Sequence, residues 1–210
     1  MSRSLEQCRL YGIIDLAYVS AGDAPLITRE MLRGGVEVLQ LRAKMQPPAE
    51  IEKLGAELHR ITAASGVPLV INDHAEIARD LGAEGVHVGQ DDRSVAEARA
   101  IAGLDCFVGK STHSVEQASA AHAEGADYVG FGPLFATPTK PDYVPIGLQE
   151  IRRLHGLVRL PIFCIGGIKL QNLPEVIAAG AQRVVIVSGL LQAPDVAEYA
   201  RAVRALLNHT

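Results

Sequence analysis

The chain has 210 residues, with 20 basic against 24 acidic side chains for a net charge of −4, and is 48% hydrophobic, 21% charged and 4% aromatic. That length is ample for a buried core in a single domain spanning 1–210, and the composition excludes a disordered chain. The acidic balance and the absence of Trp exclude a broad basic nucleic-acid footprint and a stacking platform for single strands, so an anionic ligand must be held by a few local cations.

Short β-type runs alternate with helical patterns. The runs at 10–15 and 36–42 are followed by a helical segment at 48–64, where Ile51, Leu54, Leu58 and Ile61 recur at helical spacing. Runs at 68–72 and 85–88 precede a helix at 94–102. A run at 107–111 leads into a helix at 115–124, and runs at 128–132 and 161–165 come next. A helix at 170–179, a run at 183–188 and a last helix at 195–207 complete the series. Most runs are continuous Val/Ile/Leu stretches, the pattern of strands buried on both faces. A recurring phrase joins helix to strand: Gly34-Gly35-Val36, Gly82-Ala83-Glu84, Gly125-Ala126-Asp127 and Gly180-Ala181-Gln182. Glycine there supplies a left-handed helix cap before the next strand. Eight strand–helix units without a linker fit a closed (β/α)8 barrel of parallel strands ringed by helices. A doubly wound open sheet is the other arrangement of the same units.

In either architecture function collects at the carboxyl ends of the strands. The second run ends Gln40-Leu41-Arg42-Ala43-Lys44, whose alternation turns Gln40, Arg42 and Lys44 to one face. An Arg fork with a Lys point charge fits a phosphate or diphosphate. Asn72-Asp73 ends the third run and Gln90-Asp91-Asp92 follows the fourth. Carboxylates from neighbouring strand ends suit a Mg²⁺ that also bridges substrate phosphates, or else serve as helix N-caps; spacing does not choose between Asp91 and Asp92. Lys110-Ser111-Thr112-His113 closes the fifth run. His113 is a general acid–base candidate or a hydrogen-bonded structural residue, and His87, inside an apolar run, reads as lining the core or barrel. The long loop 132–141 carries Thr137, Thr139 and Lys140, suited to covering an anion. Gly166-Gly167 and Val187-Ser188-Gly189 follow the seventh and eighth runs, where barrels bind phosphate on backbone amides.

Taken in order along nearly the whole chain, these motifs resemble the thiamine phosphate synthase family. The resemblance implies a (β/α)8 barrel enzyme, a transferase joining hydroxymethylpyrimidine diphosphate to thiazole phosphate or its carboxylated form, with release of diphosphate. It implies that Gln40, Arg42, Lys44, Asn72, Ser111 and Lys140 hold the pyrimidine diphosphate, with Lys140, Arg42 and Ser111 closest to the chemistry. It further implies that Asp73 and Asp92 ligate Mg²⁺ as cofactor, and that Thr137, Thr139, Gly167, Val187 and Ser188 hold the thiazole phosphate. Two departures stand out. Ala43 occupies a position where family members usually carry an acid, and it points away from the inward face. The segment 16–25 is less polar than is usual after the first strand.

The rival readings are a thiazole tautomerase on the same barrel, using His113, and a non-catalytic phosphate-binding barrel. Cys8, Cys106 and Cys164 lack CxxC spacing, so a disulfide framework or Cys-based zinc site is not expected; Cys106 and Cys164, in apolar runs, read as small core residues. No apolar stretch of signal-peptide length follows Met1, and none reaches the roughly 18 residues of a membrane span. The expected setting is cytoplasmic, with small-molecule substrates as partners, neither nucleic acid nor membrane, and a homo-oligomer left open.

Overall fold

The computed structural model describes residues 4–137 and 144–208. The strands are β1 (Leu10–Asp15), β2 (Val38–Arg42), β3 (Leu69–Asn72), β4 (Gly85–Val88), β5 (Phe107–Thr112), β6 (Tyr128–Phe131), β7 (Ile162–Cys164) and β8 (Val184–Ile186). All pair in parallel in sequence order, and β8 returns to β1, which closes the barrel and excludes the open sheet. Around it lie α1 (Ala24–Arg33), α2 (Pro48–Ala64), α3 (Ala75–Leu81), α4 (Val95–Ala102), α5 (Val115–Ala123), α6 (Ile151–Leu157), α7 (Leu173–Ala178), α8 (Ser188–Leu191) and α9 (Val196–Asn208). A short 3-10 turn at Leu5–Gln7 precedes β1.

All eight runs are strands within a residue or two of their expected limits, and α2 coincides with the helical pattern at 48–64. Helix α4 starts behind a capping box, in which Ser94 accepts from the Glu97 N–H and the Glu97 carboxylate accepts from the Ser94 N–H. Helices α1, α3, α6 and the four-residue α8 were not legible as periodic segments. Two of them are only seven residues long, and the buried stripe of α1 is Ala24, Thr28 and Met31, which dilutes the apolar signal.

Alternation along the strands divides the core in two. One set of side chains packs outward under the helices, including Leu39, Leu41, Ile71, Val86 and Val129, with Ala43, Cys106 and Cys164 among them. The other fills the barrel interior: Tyr11, Ile13, Val38, Val70, Tyr128, Phe163 and Val185, closed below by Cys8 and Leu5. Tyr11, Tyr128 and Phe163 meet edge to face or tilted, with centroids 5.4–6.0 Å apart. Gly109 makes room for this cluster, since a Cβ there would lie 2.0 Å from Tyr128 Cζ.

Three of the helix-to-strand phrases bring an acid, Glu37, Glu84 or Asp127, to the lower rim, where it has a structural role. The Glu37 carboxylate accepts the Arg9 and Leu10 N–H groups at 2.7 and 3.2 Å and pairs with Arg204 at 2.5 Å. Glu84 accepts the Leu69 N–H at 2.8 Å and faces His59 at 3.4 Å; Asp127 accepts the Val108 N–H and pairs with Arg99, both at 2.6 Å. Each acid stands just before an even-numbered strand and accepts a backbone amide at the start of the odd-numbered strand beside it. The fourth phrase carries the exposed Gln182 instead.

Candidate active site

An open cavity of about 940 Å³, solvent included, occupies the carboxyl ends of the strands. Of the expected site residues, Gln40, Arg42, Asn72, Ser111, Thr137, Gly167, Val187 and Ser188 line it, brought from β2, β3, β5, the loop after β6 and the turns after β7 and β8. Thr139 and Lys140 lie outside the described residues. His113 also lines the cavity; its N–H donates to Gln117 Oε1 at 2.7 Å and its Nδ1 meets the Gly132 carbonyl.

Arg42 is placed by a residue that motif reading missed. Asp15 ends β1 directly beside Arg42 in the parallel register, and its Oδ2 accepts from Arg42 Nη1 at 2.7 Å. Its Oδ1 accepts the Ala17 N–H at 3.0 Å, so one carboxylate of 1% exposure ties the loop after β1 to the guanidinium. The available signal was position: Asp15 closes the first run as Arg42 closes the second.

Lys44, Asp73 and Asp92 form a separate cluster at the ends of β2, β3 and β4. Lys44 Nζ pairs with Asp73 Oδ2 and lies 3.9 Å from Asp92 Oδ1. Asp73 takes a left-handed backbone (φ 67°), which Asp tolerates better than most residues, and its N–H donates to the His87 carbonyl at 2.8 Å. Asp92 accepts the Gly89 N–H at 2.8 Å; Asp91 and Asp92 are both exposed. The two carboxyls titrate apart. Desolvation, against the pull of Lys44 and with the push of Asp92, raises Asp73. For Asp92, desolvation is outweighed by hydrogen bonds from the Asp73 carboxyl and the Gly89 amide and by the charges of Lys44 and Lys110, and its pKa falls. Two carboxylates from neighbouring strand ends are hard-oxygen groups of the kind a divalent cation takes. Among the described residues no group of three or more His, Cys, Asp or Glu that could hold a metal ion converges.

The far wall is backbone. Gly166 and Gly167 have φ of 98° and 67°, and a Cβ on Gly166 would stand 2.3 Å from Pro133 Cα. The loop after β6 lies along this turn, with Leu134 and Phe135 donating to the Ile165 and Gly166 carbonyls at 2.9 and 3.0 Å, and so carries Thr137 to the cavity. Ser188 opens α8, and the leading N–H groups of a helix have no intrahelical acceptor.

A buried polar chain crosses the barrel beneath the cavity. Gln40 Nε2 donates to Tyr11 Oη at 2.8 Å, Tyr11 and Tyr128 hydroxyls lie 3.1 Å apart, Tyr128 Oη is 2.9 Å from His87 Nδ1, and His87 Nε2 is 2.9 Å from Ser111 Oγ. Burial raises both phenols well above the usual tyrosine range. His87 lines the barrel, as its place in an apolar run indicated. Tyr11 and Tyr128 read only as core, because nothing local distinguishes a tyrosine that carries a hydrogen-bond chain from one that fills space.

A closed (β/α)8 barrel with Arg42, a carboxylate pair and glycine turns around one mouth is the class of barrel that carries its site at the carboxyl ends of the strands. Within that class, residues 10–190 match the family described as thiamine monophosphate synthase. The chain is 45% identical over 182 residues to the thiamine-phosphate synthase of Thermus thermophilus, covering 86% of this chain and 87% of that one. It is 40% identical over 203 residues to that of Chloroflexus aurantiacus, covering 96% and 94%. Among solved structures, thiamine phosphate pyrophosphorylase from Pyrococcus furiosus superposes with a TM-score of 0.88 at 30% identity, covering 98% of each chain. The chain belongs to the thiamine monophosphate synthase family, and is a transferase of that family.

Proposed function

We propose that the chain, working as one barrel domain over 1–210, condenses hydroxymethylpyrimidine diphosphate with thiazole phosphate, or its carboxylated form, to give thiamine phosphate and diphosphate. The observation that carries this reading is that three adjacent strand ends present Arg42 lining the cavity and, in a separate cluster, Lys44 with Asp73 and Asp92, while glycine turns line the same cavity. Gln40, Arg42, Lys44, Asn72 and Ser111 hold the pyrimidine diphosphate, and Lys140 is assigned to the same diphosphate from the loop after β6. Thr137, Thr139, Gly167, Val187 and Ser188 hold the thiazole phosphate. Asp73 and Asp92 would hold Mg²⁺, which when bound neutralises diphosphate charge.

The chemistry asks little of a protein nucleophile. The exocyclic C–O bond breaks, diphosphate leaves with the electron pair, and the thiazole nitrogen supplies the pair that forms the new C–N bond. Arg42, Lys44 and Lys140 stabilise the charge that grows on the leaving group, and the cavity walls hold the two rings in line. His113 is held to the Gly132 carbonyl and the Gln117 amide and has no assigned part in this reaction.

The setting is proposed to be cytoplasmic; among the described residues no helix is long and apolar enough to cross a membrane. The deciding experiment mixes both substrates with and without Mg²⁺ and follows diphosphate release, then repeats it on Asp92→Ala. Mg²⁺-dependent release that falls at least about 100-fold in Asp92→Ala is expected. Deuterium exchange into thiazole phosphate without diphosphate release would instead identify a tautomerase.

A further inference from the structure

Two side chains hold the turn after β7 from behind. Asn172 Nδ2 donates to the Gly167 carbonyl at 3.0 Å, and its Oδ1 accepts the Lys169 N–H at 2.7 Å. Tyr199 reaches the same turn from α9, where its Oη accepts the Leu170 N–H at 2.7 Å. The phenol meets a second element there. A Cβ on Gly189, the second residue of α8, would stand 2.6 Å from Tyr199 Oη and 3.1 Å from its Cζ. Glycine is a poor helix former, and Gly189 does not take a positive φ that would call for it. Its missing side chain is what lets the phenol lie against α8. One hydroxyl therefore bridges the turn that carries Gly167 and the short helix that follows Val187. These two segments bring Gly167, Ile168, Val187 and Ser188 to the cavity, and the Gly167 and Ile168 N–H groups have no acceptor among the described residues. Tyr199 itself stands behind the cavity wall, not in it.

We propose that Tyr199 is a positioning residue for one of the two substrates: through Leu170 and Gly189 it fixes the spacing of the two backbone segments on which the thiazole phosphate rests. A phosphate held by both segments at once loses hydrogen-bond geometry when either moves by a fraction of an ångström. Arg42 and Lys44, assigned to the diphosphate, come from the end of β2, which Tyr199 does not bridge. Loss of the bridge therefore acts on the thiazole phosphate and spares the pyrimidine diphosphate. The identity of the substrate rests on the transferase reading above; the bridge rests on geometry alone.

Tyr199→Phe keeps the ring and removes the bridging oxygen. In the two-substrate diphosphate-release assay, KM for thiazole phosphate is expected to rise about three- to tenfold, with kcat and KM for the pyrimidine diphosphate unchanged within about twofold. An unchanged KM for thiazole phosphate, or an equal rise for both substrates, overturns the positioning role. Amide NMR of the ligand-free protein reads the bridge without turnover. The Leu170 N–H is expected to exchange with solvent at least about tenfold faster in Tyr199→Phe than in the wild type, and an equal rate overturns the hydrogen bond. Inorganic phosphate is then titrated against the Gly167 and Ile168 amide signals. These should shift in the wild type, with a midpoint about three- to tenfold higher in Tyr199→Phe. Signals that ignore phosphate, or an equal midpoint in both proteins, overturn the link between the bridge and a phosphate. Absence of diphosphate release in the wild type would overturn the transferase reading, while the phosphate midpoints still judge Tyr199.

Discussion

Glu37 is the most buried of the three acids at the lower rim, with 6% of its side chain exposed against 25% for Glu84 and 39% for Asp127. Replacement by Ala takes away the shared acceptor of two backbone amides and the counter-ion of Arg204. Breaking a buried pair by removing one partner costs about 3–5 kcal/mol, and because the same carboxylate serves all three donors the cost is counted once. At an unfolding entropy of about 2.1 cal/mol/K per residue, 210 residues give about 2.3 °C per kcal/mol. Glu37→Ala is therefore expected to lower Tm by roughly 7–12 °C in scanning calorimetry. Glu84→Ala and Asp127→Ala should follow with smaller losses in the order of their burial. Gln182→Ala, at the exposed fourth position of the phrase, should stay within about 0.5 kcal/mol of the parent. A fall below about 2 °C for Glu37→Ala, or an equal fall for Gln182→Ala, would refute the assignment of these acids as strand caps.

Two further outcomes follow from the same coordinates. Asp15→Asn keeps the shape beside Arg42 but removes the charge that holds its guanidinium, and KM for the pyrimidine diphosphate is expected to rise about tenfold with kcat little changed in steady-state kinetics; an equal fall in kcat would place Asp15 in the chemical step instead. Burial pushes the Cys106 thiol up to about 11 and Cys164 up to about 12, so at pH 8 both are almost wholly protonated and a thiol reagent should label neither in the native protein. Labelling should quicken as pH climbs toward those values and become immediate on denaturation, and rapid native labelling at pH 8 would contradict the packing described.

Much of the fold is legible in the chain because a parallel barrel writes itself locally. Each strand is covered on both faces, so it reads as a continuous apolar run, and the turn back to the next strand needs a glycine that can take positive φ, as at Gly35, Gly82, Gly125 and Gly180. Helices α1, α3 and α6 were the exception, since α3 and α6 offer only seven residues and the buried stripe of α1 includes Ala24 and Thr28. At the site, charged and hydroxylic residues at strand ends were visible for the same reason: polar groups interrupting an apolar pattern have few structural uses. Asp15 and the tyrosines were not visible, since Asp15 ends a strand as a cap might and a buried tyrosine resembles any other aromatic.

The sequence by itself determined the eight-unit repeat and the chemical types gathered at one end, because hydrophobic period and turn chemistry are local properties. Closure of the barrel, the Asp15 grip on Arg42 and the meeting of Gln40, Tyr11, Tyr128, His87 and Ser111 in one buried chain were decided only by tertiary structure. Each depends on which strand lies beside which and in what register. It is register that sets Asp15 against Arg42 and curls the sheet so that β8 reaches β1.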